Sequence, residues 1–141
     1  MPVNFGEAAK RHWNDALLLQ EVKRLANADQ LYGLSAECAL KEIMVHWGAT
    51  VNPEGDFADK KNWKHMKELW DEFQMFAAGR RGARGLSALA KFGTNPFSDW
   101  QLGQRYLRDS DSPSENVVIA HRKACAACHL ALQRSLGGTN T

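Results

Sequence analysis

The sequence predicts an all-α fold, on three observations. Its 141 residues include only four prolines and eleven glycines, and the stretches between them are rich in Ala, Leu, Lys, Glu, Gln and Arg, which lose little side-chain freedom in a helix. Apolar residues recur at helical spacing along most of the chain. No alternating β-branched run lies between turn signals; the nearest, Val117-Val118-Ile119, continues straight into a helical pattern.

The first helix is expected over residues 6–25, where Ala9, Trp13, Ala16, Leu17 and Val22 form one apolar side. After a break near Asn27, a second helix over 28–47 places Tyr32, Ala36, Leu40, Ile43 and Trp47 on one stripe, with Leu34 and Cys38 beside it. Gly48 should end it, and Asn52-Pro53-Glu54-Gly55 is a turn. A third helix over 59–77 carries Trp63, Met66, Trp70, Phe73 and Ala77 on its buried face. The glycine-flanked basic loop Gly79-Arg80-Arg81-Gly82-Ala83-Arg84-Gly85 follows, then a short helix over 86–92. Ser98 is expected to cap another short helix, Gln101 completing its capping box. The last helix, to Leu136, has Ser112 as N-cap, Pro113 as first helical residue and Glu115 as reciprocal cap, and Gly137-Gly138 stops it. Short connections between such helices predict an up-and-down bundle of four main helices with a short helical insert, as a single domain over residues 1–141.

The chain is 44% hydrophobic with a net charge of +2, which excludes wholesale disorder and argues against a general polyanion binder. A basic N-terminal region followed by an apolar run is lacking, as is any stretch of about 18 apolar residues, so a cytoplasmic, soluble protein with no membrane contact is expected. Cys38, Cys125 and Cys128 are expected as reduced thiols.

The segment Leu31-Tyr32-Gly33-Leu34-Ser35-Ala36-Glu37-Cys38-Ala39-Leu40-Lys41 resembles the second helix of the HEPN superfamily, helical domains named for higher-eukaryote and prokaryote nucleotide binding. Arg11-His12-Trp13-Asn14-Asp15-Ala16-Leu17-Leu18-Leu19 is similar to that family's first helix, and Trp100 with Arg105-Tyr106 to its segment before the final helix. The resemblance implies a helical bundle, frequent homodimerisation, and a role around RNA or nucleotides in toxin-antitoxin or phage-defence systems, where a protein partner such as a nucleotidyltransferase-like antitoxin is expected. Active members carry an Arg and a His on the last helix with four to six residues between them, which form a composite metal-independent ribonuclease site across a dimer. Here Arg122 and His129 match with six residues between them. Seven helical steps return to within roughly 20° of the starting direction, so both lie on one side of the helix. In that role His129 would act as acid or base and Arg122 as phosphate clamp. Lys123 stands where active members usually have a small polar residue or His, so the expectation is a non-catalytic binding or partner module, with the endoribonuclease as the alternative.

Other residues admit several readings. Cys125-Ala126-Ala127-Cys128-His129 has the C-x-x-C-H pattern of haem attachment. Cys125, Cys128, His129 and His121, with Cys38 from a neighbouring helix, form a candidate zinc set. Small buried thiols packed between close helices are the favoured explanation over any metal, and no cofactor is expected. Arg80, Arg81 and Arg84 in their loop, and Arg105 beside Trp100, are candidate phosphate or nucleic-acid contacts; a solvated loop explains the first three as well. Lys60, Lys61, Lys64 and Lys67 read as a solubility face, Glu37 with Lys41 as a helical ion pair or a buried site pair, and Trp13, Trp63 and Trp70 as core. Walker, dinucleotide, zincin and serine-hydrolase motifs are absent.

Overall fold

The computed structural model describes residues 2–78, 80 and 86–137. Among them are five α-helices and no strand: α1 (Phe5–Glu21), α2 (Leu25–His46), α3 (Met66–Ala77), α4 (Ser87–Ala90) and α5 (Glu115–Leu136). Single 3-10 turns span Lys60–Asn62, Leu102–Tyr106 and Asp109–Asp111. The all-α expectation holds.

α2 is the central element. It packs against α1, α3, α5 and the 3-10 turn at Leu102–Tyr106, and its small residues Ala28, Gly33, Ser35, Ala36 and Ala39 let those neighbours approach. Pairing Gly6 with Glu42 and Gln20 with Tyr32, α1 runs antiparallel to α2. Asp29 meets His121 and Ser35 meets His129, so α5 runs parallel to α2. Along α3, His65 meets Glu37 and Phe73 meets Trp47. Thus α3 advances in the same sense as α2, where strict up-and-down alternation would send it back; the long connection 47–65 returns the chain before α3 begins.

Several boundaries differ from the expected ones for identifiable reasons. The first break comes earlier, at Lys23, whose φ of 64° cannot continue a helix. The third helix starts at Met66 instead of residue 59, because Asp59 Oδ1 accepts from the Lys61 amide at 3.0 Å and closes a separate 3-10 turn. Ser98 caps no helix: its amide joins the turn begun by Asn95, and the capping box is made by Gln101 and Gln104. The N-cap of α5 is Ser114, whose hydroxyl accepts from the Val117 amide, while Ser112 ends the preceding 3-10 turn. Glu115, freed from capping, pairs with Lys23 at 2.8 Å and ties the start of α5 to the α1–α2 turn.

The core holds Tyr32, Leu40, Phe57, Phe73, Phe97 and Trp100, all fully buried. Leu17 and Val22 of the expected α1 stripe lie exposed instead, with Leu18 beside them; Trp63, expected in the core, is 46% exposed.

Candidate functional site

Arg122 and His129 sit on the side of α5 that meets α1 and α2, in different settings. His129 is half-buried, with its ring 5.4 Å from that of Trp13 and its Nε2 2.6 Å from the Ser35 hydroxyl. That hydroxyl also lies 2.7 Å from the Ala9 carbonyl. A carbonyl only accepts, so the single Ser35 proton goes to Ala9, and His129 Nε2 must donate to Ser35. Burial, helped by the Lys10 charge, lowers the His129 pKa to about 4, so the ring is neutral at pH 7. Its Nε2 proton is committed within the fold.

Arg122 Nη1 donates to Gln20 Oε1 at 3.2 Å, and the same oxygen accepts from the Tyr32 hydroxyl at 2.6 Å. Burial raises the Tyr32 pKa, with Arg122 acting in the opposite sense. Arg122, Gln20, Leu17, Lys23 and Glu115 line an open cleft of about 260 Å³. The guanidinium therefore reaches a surface cleft, while the imidazole lies tucked against Trp13.

The two thiols of the C-x-x-C-H segment are buried, and burial pushes Cys125 up to about 12 and Cys128 well above its ordinary value. Cys38 on α2 rises to about 12 for the same reason. His121 is held between two carboxylates: Nδ1 lies 2.6 Å from Asp29 and Nε2 2.8 Å from Asp99. Its ring stacks on Phe97 at 5.3 Å. Burial alone would lower its pKa, but the hydrogen bonds and charges of Asp29 and Asp99 together outweigh it and raise it. Two acceptors flanking one ring are matched by a doubly protonated imidazolium. Both ring nitrogens are used, and Cys125, Cys128, His129 and His121 do not converge: among the described residues no group of three His, Cys, Asp or Glu side chains is placed to hold a metal ion.

Of the candidate phosphate-binding arginines, Arg80 folds back on the end of α3, its Nε donating to the Phe76 carbonyl at 2.7 Å and its guanidinium 3.8 Å above the Phe76 ring. Arg81 and Arg84 lie outside the described residues. Arg105 stacks on the exposed Tyr106 at 4.9 Å. Trp100 is unable to stack on a base, because it is fully buried and its indole donates to the Asp29 carbonyl at 3.0 Å.

A group that spacing did not reveal lies on the α3 side of α2. Glu37 and Lys41 form a buried pair at 3.0 Å, their side chains 7% and 8% exposed. His65 Nδ1 approaches the two Glu37 oxygens at 3.2 and 3.4 Å. Half-exposed, His65 stands at the edge of a cleft of about 230 Å³ also lined by Lys67, Glu68, Gln101, Leu102 and Gly103. The pair was visible as an i, i+4 spacing, with a buried role as one of its two readings; its third member, 28 residues away in the chain, was not.

Compared with models of known protein families, with curated proteins and with solved structures, the chain matches none.

Proposed function

We propose that the chain is a HEPN-like, non-catalytic module that binds RNA or nucleotides, or docks on a partner acting on them, in a toxin-antitoxin or phage-defence setting. The observation that carries the non-catalytic reading is the commitment of the His129 Nε2 proton to Ser35, with burial holding the ring neutral. An acid or base at the scissile phosphate needs a reachable ring poised near the working pH. His129 is instead part of the packing between α1, α2 and α5.

The setting comes from the resemblance. Its central segment, Leu31–Lys41, forms the buried middle of α2, and its upstream segment lies within α1. In this reading the protein works in the cytoplasm as a homodimer or with a protein partner such as a nucleotidyltransferase-like antitoxin. Exposed Leu17 and Leu18 on α1, Val22 at its C-terminal end, and Leu130 and Leu136 on α5 offer apolar contact for either. Among the described residues no helix is long and apolar enough to cross a membrane.

One observation favours the endoribonuclease alternative: Arg122 lines an open cleft where a phosphate can enter. Incubation of a fluorogenic single-stranded RNA in EDTA with wild type, Arg122→Ala and His129→Ala separates the two readings. The expected result is binding of RNA or nucleotide without turnover. Metal-independent cleavage that disappears in both variants at matched helicity would establish the composite ribonuclease and overturn the module.

A further inference from the structure

We infer that residues 59–68 form a docking surface for single-stranded RNA, built on the exposed indole of Trp63, the Lys60 cation over it and the lysines that flank it in the chain. The inference rests on the RNA side of the proposed function, because it names where on the module a polynucleotide lies.

Trp63 is the most exposed of the five tryptophans, yet its ring is held in place. Its Nε1 donates to the Phe57 carbonyl at 2.8 Å, and Lys60 Nζ lies over the ring, 5.9 Å from its centroid. The chain leading to it is set by the Asp59-capped turn. Lys60 is itself exposed, so a base can displace it from the face of the fixed indole, and stacking tolerates any base because each has a π-face. Duplex bases are already stacked on one another, so the indole selects unpaired strands.

The surrounding charge complements a phosphate backbone. Lys60, Lys61, Lys64 and Lys67 fall within eight residues of one another. Among the described residues Lys61 and Lys64 have only loose, exposed carboxylate partners, Asp59 and Glu72, each at 3.6 Å. Exposed pairs of this kind are weak, and a phosphate can replace the carboxylate. Among the described residues Lys60 and Lys67 have no carboxylate partner. Two positions beyond Trp63, His65 is oriented from below by the buried Glu37 and opens, with Lys67, onto the cleft beside Gln101 and Gly103. Glu68 on that cleft wall opposes phosphate, so the cleft takes the ribose edge and the lysines take the charge.

The test is fluorescence anisotropy of a labelled mixed-sequence single-stranded RNA of 12 nucleotides with the full chain. Trp63→Ala should weaken binding about tenfold, and Trp63→Phe should recover most of it. Lys60→Gln with Lys67→Gln should reduce the slope of log K against log salt by about 1.4. Lys123→Gln, which removes a charge from α5, should change affinity by less than about twofold. A blunt RNA duplex of equal length serves as competitor; equal binding of the duplex overturns the inference, as does the absence of wild-type binding. If Trp63→Ala fails to fold, the phenylalanine and lysine variants decide, and an unchanged salt slope overturns it. Wild-type binding indifferent to Trp63 and the lysines overturns this surface and leaves the module reading standing. Cleavage dependent on Arg122 and His129 does the reverse.

Discussion

Gly33 lies directly against Trp100: a Cβ placed on Gly33 would sit 2.0 Å from the indole Cε2. Glycine inside a helix costs about 1 kcal/mol relative to alanine, so its presence midway along α2 is explained by this contact. Trp100 is fully buried with its indole bonded to the Asp29 carbonyl, so moving it aside breaks that bond and its packing. Gly33→Ala should therefore destabilise the protein by about 1–3 kcal/mol despite its better helix propensity. Urea unfolding followed by circular dichroism measures this, and an unchanged or higher midpoint would mean that Trp100 is not locked in place.

The buried Glu37–Lys41 pair is expected to behave as a coupled unit. Removing one partner leaves an uncompensated charge in the interior, a loss of about 3–5 kcal/mol, whereas replacing both by apolar residues avoids that penalty. Glu37→Leu or Lys41→Met alone should be strongly destabilising, and the double variant should recover most of the loss. Additive losses in the double-mutant cycle would show that the side chains are solvated, in conflict with their 7% and 8% exposure.

The long helices were legible because their signals are local. Apolar spacing placed the bodies of α1, α2 and α5, and Gly48 and Gly137 marked two ends. The 59–65 stretch misled because Trp63 continues the helical spacing of Met66, Trp70 and Phe73, while the hydrogen bonds that divert it run from the Lys61 amide to Asp59, from Trp63 to the Phe57 carbonyl and from His65 to Glu37. In Ser112-Pro113-Ser114 two serines compete as cap, and only the turn ending at Ser112 decides between them. Arg122 and His129 were correctly placed on one side of α5. Ser35, which uses up the His129 proton, is 94 residues away. The two aspartates of His121, separated from it by 92 and 22 residues, left no periodic trace either.

The three thiols should be inert in the folded protein. Thiolate is the reactive form, and burial raises Cys38 and Cys125 to about 12 and Cys128 well above its ordinary value. A thiol-reactive chromogen at pH 8 should label almost none in buffer and all three in denaturant. Rapid labelling of any cysteine under native conditions would show local opening of α2 or α5.

His121 and His129 should make stability depend on pH in opposite senses. The pKa of His121 is raised in the fold, so its contribution is fully present below the unfolded value of about 6.5 and is lost as pH rises through the folded value. The pKa of His129 is lowered to about 4. As pH falls from about 6.5 to about 4 the unfolded chain takes up a proton that folded His129 refuses, and stability falls by about 3 kcal/mol over that window. Half-buried His12 shifts in the same direction as His129, through burial and the Arg11 charge, so the assignment needs variants. Unfolding free energies between pH 4.5 and 8.5 should show that His129→Gln flattens the acid side and His121→Asn flattens the alkaline side. If His129→Gln left the acid slope intact, the ring would be titrating freely, and with it would go the structural reason for regarding this imidazole as unfit for acid-base work.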